Sequence, residues 1–273
     1  MATEASKNNL GPQYRSQCQP NLFDALSAMR LQDAGRCIWI DAICVNQTNL
    51  LERSIEVRKM GDIYKLAKAV VVFLGAPSPS PLSFIDELFK FLNRFSDGDT
   101  LEAKDAGRLD DSDDSFQNSG VDKNAVCKGF AELFLRPWFG RIWTLQEFYL
   151  ASDEPVWYWG RLNASNTSLK RDICLLMSTC WDLYEKSEAN STFCTDVQNI
   201  INKPLTEFIA DARRISDLIS RRAKTHGFDI PSRLYCSLSA RATDPRDMVY
   251  GLREIFDPVF RRVFVPDYFM RVG

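Results

Sequence analysis

Residues 39–47 read Trp39-Ile40-Asp41-Ala42-Ile43-Cys44-Val45-Asn46-Gln47, and the conformation of this run decides what kind of sheet the chain builds. With Cys37 and Ile38 ahead of it, the run is almost continuously apolar as far as Val45. That pattern predicts a parallel strand over 37–45, covered on both faces. Yet the run contains Asp41 and closes on two carboxamides. A bare carboxylate is costly in a core, and amides there need partners. Open parallel sheets bind ligands beyond the carboxyl ends of their strands, which is where Asn46 and Gln47 fall. Asp41 lies further in and needs a donor, for which Arg53 and Arg141 are the candidates. The alternative is that Asp41 pairs with an arginine only to organise the core.

Working outward, Ala69-Val70-Val71-Val72-Phe73-Leu74-Gly75 reads as a second buried strand. Between the two lies a helix, opened by Asn49 with Glu52 three residues on, the pattern of a capping box. Its apolar stripe carries Leu51, Ile55, Met60, Ile63, Tyr64 and Ala67. Strand, helix and strand predict a βαβ unit in which 37–45 and 69–74 are adjacent parallel strands. Upstream, Pro20-Asn21 opens a helix with Leu22, Ala25, Leu26 and Met29 at helical spacing. Downstream, Pro81 suits the first position of a helix through Phe95. Seven aspartates between Asp97 and Asp114 mark an acidic stretch at about 97–123. It is read as a disordered insertion rather than a calcium loop, since the alternating ligand pattern is missing. Helices follow at Ala125–Leu135 and Trp138–Ala151, then a short strand at Val156–Gly160. Helices at about 168–185, 204–224, 231–240 and 245–256 complete the chain. The expected organisation is α/β over 20–160, interrupted by the insertion, and a helical region over 161–273.

Composition narrows the function classes. The 273 residues are 45% hydrophobic with a net charge of −2, which gives no electrostatic case for nucleic acid or an anionic membrane. No apolar run approaches the ~20 residues that span a bilayer, and the polar start has no secretory h-region. Eight cysteines include no Cys-x-x-Cys pair, which argues against a zinc site and for a reducing, cytoplasmic compartment. The single histidine, His226, sits by a basic run and Gly227, as suits a helix C-terminus. Catalysis by Ser-His-Asp or Cys-His would have to use it and is disfavoured.

A second motif is Arg136-Pro137-Trp138-Phe139-Gly140-Arg141-Ile142-Trp143-Thr144-Leu145-Gln146-Glu147. Trp143 and Glu147 are four apart and share a helix face that Leu150 and Ala151 make mostly apolar. Such a carboxylate is partly desolvated and its pKa rises. This is the setting for a catalytic carboxylate working near neutral pH, and equally for a structural glutamate that binds a loop or an arginine. In a third motif, Ala242-Thr243-Asp244-Pro245-Arg246-Asp247-Met248-Val249-Tyr250-Gly251-Leu252, Thr243 or Asp244 caps a helix opened by Pro245. Arg246 and Asp247 are placed to clamp that helix to a neighbour.

Together these segments resemble the fungal heterokaryon-incompatibility (HET) domain. WIDAICVNQ with Glu52-Arg53, Met60, Ile63–Ala67 and Val71–Gly75 is similar to that domain's core, and RPWFGRIWTLQE to its second block. ATDPRDMVYGL with Val265–Tyr268 resembles the region that follows. The resemblance implies non-self recognition between fungal cells, linked to programmed cell death. It further implies a fold similar to the Toll/interleukin-1 receptor (TIR) domain, a flavodoxin-like parallel sheet flanked by helices. Some TIR domains hydrolyse NAD with a glutamate in a Trp-x-x-x-Glu pattern, and Trp143 to Glu147 is similar to it. On this analogy Glu147 and Trp143 are catalytic. Asp41, Asn46, Gln47, Arg53 and Arg141 line the nucleotide, with NAD a substrate and no cofactor or metal. The alternatives are a non-catalytic module that self-associates or binds another incompatibility protein, and a truncated inactive paralogue. In one departure, residues 1–20 lack the family's usual Leu-Ser-Tyr-x-Trp-Gly strand, and the chain ends where family members continue.

Overall fold

The computed structural model describes residues 20–76, 84–94, 116, 120–186, 191–202, 208, 211–213, 215, 216, 219, 237, 240–256 and 258–271. Helix α1 (Pro20–Met29) forms as its apolar spacing predicts, burying Ala25 and Met29. The run that follows does not form the expected strand. Ile40 is extended, but the chain then closes one turn of helix, α2 (Asp41–Cys44). Ile43 and Cys44 N–H both donate to the Ile40 carbonyl, at 3.0 and 2.8 Å. The cause is local competition for backbone groups by short polar side chains. The Asp41 carboxylate accepts from Ala42 N–H at 2.8 Å. Gln47 Nε2 donates to the Asp41 carbonyl at 3.2 Å. Asn46 Oδ1 accepts from the Thr48 N–H and hydroxyl at 3.1 and 2.7 Å. Ile43 is left 58% exposed, so the run is not a strand sandwiched on both faces.

Helix α3 (Leu50–Leu66) starts on Asn49, whose side chain accepts from Leu51 and Glu52 N–H. Glu52 does not return to Asn49 as a capping box would. It accepts from Asn46 N–H at 2.9 Å instead, tying α3 back to the turn before it.

Strand β1 (Val71–Phe73) therefore finds a different partner. It pairs in parallel with β2 (Val156–Trp159), Val71 opposite Val156 and Phe73 opposite Tyr158. From β2 the chain reverses at Gly160, φ +54°, where a Cβ is disfavoured. It returns antiparallel as β3 (Leu162–Ser165). The described strands make one three-stranded mixed sheet in the order β1-β2-β3. The α/β class stands, while the predicted adjacency of 37–45 and 69–74 is corrected.

The core lies between this sheet and helices α4 (Ile85–Leu92) and α5 (Lys123–Phe134). Ile85, Leu88, Phe89, Val126, Phe130 and Leu133 are all within 2% of complete burial. Asp122 caps α5 by accepting from Asn124 and Ala125 N–H. The two helices cross at Gly129, where an added Cβ would lie 2.2 Å from the Phe84 carbonyl oxygen. Gly129→Ala must push them apart, and an overpacking cost of about 2 kcal/mol is expected in urea unfolding.

The helix expected over 138–151 is split. Pro137–Gly140 forms a 3₁₀ turn, and α6 (Trp143–Tyr149) begins after a break. At the break, Ile142 N–H donates to the Arg241 carbonyl at 3.1 Å and Arg241 N–H to the Gly140 carbonyl at 2.7 Å. The aromatic rings of Trp138, Phe139 and Phe148 close around Trp157 of β2, with centroids 5.2, 5.7 and 5.9 Å from it. They pin the turn and α6 to the sheet. Helix α7 (Asn166–Lys186) fulfils the reading at 168–185. Helix α8 (Thr192–Ile201), capped by Ser191, was not expected. Short helices α9 (Asp247–Tyr250) and α10 (Pro258–Val263) follow. The seven aspartates of the acidic stretch, the Pro81 helix start, His226 and most of the helices expected at 204–224 and 231–240 lie outside the described residues. Of the insertion expected at 97–123, Phe116 is buried against Phe91, with ring centroids 4.6 Å apart, and Asp122 and Lys123 belong to the start of α5.

Candidate functional site

Helix α6 presents Glu147 toward α3 and the α2 turn. One carboxylate oxygen, Oε2, accepts from the indole Nε1–H of Trp138 at 3.1 Å. Burial pushes the Glu147 carboxyl above its ordinary pKa. The Arg141 guanidinium and the Trp138 hydrogen bond oppose the rise, and the Asp41 charge adds to it. Tyr64, on α3, responds to the same groups. Its phenol is driven well above the usual range by burial, then by the charges of Glu147 and Asp41, with Arg141 opposing. It therefore stays protonated and can donate. Trp39 meets the Tyr64 ring edge-on at 6.1 Å.

Four titratable groups from four segments thus share one electrostatic site: Asp41, Tyr64, Arg141 and Glu147. Asp41 and Glu147 are partly buried, whereas Arg141 is exposed at the rim. Trp143 is partly buried and packs against both the main core and a smaller cluster of Val57, Met60, Tyr250 and Tyr268. Asp41 finds its donor in the Ala42 backbone rather than in Arg53. Asn46 and Gln47 are exposed and spend their amides on the α2–α3 turn. The sequence reading missed Tyr64 and Trp138 as members of this group. The signals were a hydroxyl on an otherwise apolar stripe and an indole nine residues before the glutamate.

The hydrogen bond gives a directional test. Trp138→Phe removes a donor that holds the Glu147 pKa down, so that pKa should rise. Asp41→Asn removes a like charge and should lower it. Carboxyl carbon NMR titration reads both, and equal titration in the two variants would dissolve the cluster.

Among the described residues, no group of three or more metal-ligating side chains is assembled. Nor is any helix among them long and apolar enough to cross a membrane. Compared with known proteins, residues 2–147 match the family model described as heterokaryon incompatibility protein (HET). This chain belongs to the HET family. It is 33% identical over 130 residues to heterokaryon incompatibility protein 6, OR allele, of Neurospora crassa, a stretch covering 42% of this chain and 19% of that protein. The chain thus spans about a fifth of that relative's length. No solved structure matches.

Asp41, Tyr64, Trp138 and Arg141 all fall inside the HET match, and Glu147 is its last residue. The HET segment is nonetheless bolted to residues beyond it. Arg53 Nη2 lies 3.0 Å from Asp247 Oδ2, and Nη1 lies 3.5 Å from Asp244 Oδ2. The Arg53 guanidinium also stacks 3.7 Å over the Tyr268 ring, whose hydroxyl donates to Asp247. Ser54 Oγ accepts from Tyr268 N–H at 3.1 Å, and Arg58 donates to the Pro266 carbonyl at 2.9 Å. Arg246 donates to Asp244 and to the Met270 carbonyl at 2.7 Å. Its hydrogen bond holds Asp244 below the usual carboxylate range. The clamp read from Arg246 and Asp247 is present, and it consumes Arg53, which is therefore not at the Glu147 cluster.

Proposed function

We propose that this chain serves fungal non-self recognition as a catalytic HET domain that hydrolyses NAD, with Glu147 as the catalytic carboxylate and programmed cell death as the consequence. The observation that carries the reading is the Glu147 carboxylate itself, desolvated and held by Trp138 beside Arg141, Tyr64 and Asp41. A carboxylate so placed can stabilise, or attack, the ribosyl cation that develops as nicotinamide departs. Departure breaks the ribose C1–nitrogen bond, and the bonding pair leaves on neutral nicotinamide. Water then adds to the ribosyl carbon, gives up a proton to solvent and yields ADP-ribose. The exposed guanidinium of Arg141 suits the pyrophosphate, and Trp143 offers a ring to pack on the nucleoside. Tyr64, kept protonated, supplies a hydrogen-bond donor. The TIR analogy rests on the α/β class, the Trp143-to-Glu147 spacing and the chain order in which α6 falls between β1 and β2. The experiment is incubation of purified protein with NAD and assay of free nicotinamide. Release of nicotinamide is the expected result, and its absence sinks the catalytic reading.

A second reading is a non-catalytic module that signals by self-association. It is favoured by the outward apolar side chains of Ile43, Leu51 and Ile55, which are 58%, 59% and 40% exposed. Sedimentation across a concentration series separates the two. A monomer that releases nicotinamide supports the first, and a silent oligomer the second.

A further inference from the structure

Away from the Glu147 cluster, α5 packs on both α7 and α8 without filling the space among the three. They leave a cavity of about 260 Å³. Its walls are Phe130 and Ala131 of α5, Met177 of α7, Phe193 and Val197 of α8, and Phe208. It opens to solvent at one side, where the lining residues Ser178, Trp181 and Arg213 are exposed. Apolar cavities stay dry, and one of about 150 Å³ already admits benzene. Drug-sized ligands begin at about 300 Å³. The chamber therefore suits a body larger than benzene and smaller than a drug. Its mouth is marked by Trp181, an indole 42% exposed. Among the described residues, Arg213 is the one charged side chain on the lining, and no acidic residue among them joins it there. Among the described residues no carboxylate pairs with Arg213. Glu185 lines a neighbouring hollow that shares Trp181 and Tyr184 with this one.

We propose that this chamber is a binding site for a small amphipathic anion, its apolar body among Phe130, Met177 and Phe193 and its charged end at Arg213. The site is independent of the proposed NAD chemistry and stands or falls separately. Cys127 and Cys180 also line it. The Cys180 thiol is pushed well above its ordinary pKa, first by burial. It stays protonated and adds no competing negative charge.

The test uses octanoate as the anion and octan-1-ol as its uncharged counterpart, titrated calorimetrically into the whole chain. Octanoate should bind more tightly than octanol. Arg213→Gln should weaken octanoate by roughly fivefold, the worth of a partly exposed charge pair, and leave octanol unchanged. Ala131→Phe should abolish binding of both by filling the chamber. Because that substitution also stresses the core, Ser178→Trp provides a second plug from an exposed position on the lining. Loss of binding in Ser178→Trp with an unchanged melting curve supports the site. Failure of octanoate to bind, or binding that survives either plug in a folded variant, overturns it. Equal affinity for octanoate and octanol removes the role given to Arg213 and overturns the anion assignment.

Discussion

Substituting Asp247 by alanine is expected to lower the free energy of unfolding by about 3 kcal/mol. Asp247 is 6% exposed and accepts both from Arg53 and from the Tyr268 hydroxyl. Removing it leaves a guanidinium that is only 21% exposed facing a buried ring and one remaining carboxylate, Asp244, at 3.5 Å. An uncompensated buried charge costs 3–5 kcal/mol, and the residual access of Arg53 to water puts the figure at the lower end. Chemical denaturation measures it. The paired substitution Arg53→Met with Asp247→Leu separates the pair from its surroundings, because deleting both charges should recover much of the loss. A single substitution costing under about 0.5 kcal/mol, as an ordinary surface change does, would mean the clamp is solvated.

The second large effect is on chemistry. Glu147→Gln should reduce nicotinamide release by roughly 10³-fold, the scale of removing one preorganised electrostatic stabiliser. Stability at neutral pH should stay level or rise. The sign follows from the raised pKa of Glu147. Between the unfolded and folded pKa values the native state holds the proton more tightly, so stability falls as pH rises through that window. Above the folded pKa, ionised Glu147 weighs against the fold. Glutamine keeps the shape and an oxygen for the Trp138 indole, and it has no charge to desolvate. The variant should therefore gain on the wild type as pH rises from acid to neutral. Unfolding of Glu147→Gln would make the residue structural, and full turnover would end the assignment of Glu147 as the catalytic carboxylate.

Much of this architecture was legible in local signals, and what was not has physical causes. Asn49 as a cap and the strands at Val71–Phe73 and Val156–Trp159 each depend on side chains within a few residues of one another in sequence. The Arg246–Asp244 bond of the clamp is local too, whereas its partner Arg53 lies 194 residues from Asp247 and was not legible there. WIDAICVNQ misled because apolar run length cannot separate a strand from a turn of helix. The deciding groups were Asp41, Asn46 and Gln47, which capture nearby backbone atoms. Helix α8 carried a usable signal in Ser191 ahead of Phe193, Cys194, Val197 and Ile201. The pairing of β1 with β2 had none, since nothing local links Val71 to Val156. Tyr64 was read as core from its place on the stripe, and only the tertiary approach of α6 makes its hydroxyl part of a site.

The partner of β1 has a practical meaning for exchanging segments between related chains. The stretch recognisable as HET stops at Glu147, but Val71–Phe73 hydrogen-bonds to Val156–Trp159, on the far side of that limit. A recombinant junction placed at residue 147 would take β1 from one parent and its ladder partner from another. The donor's Trp157 would then have to fit the recipient's Trp138, Phe139 and Phe148. Sequence similarity and cooperative folding draw different borders in this chain, and a crossover that respects only the first inherits mismatched halves of one sheet.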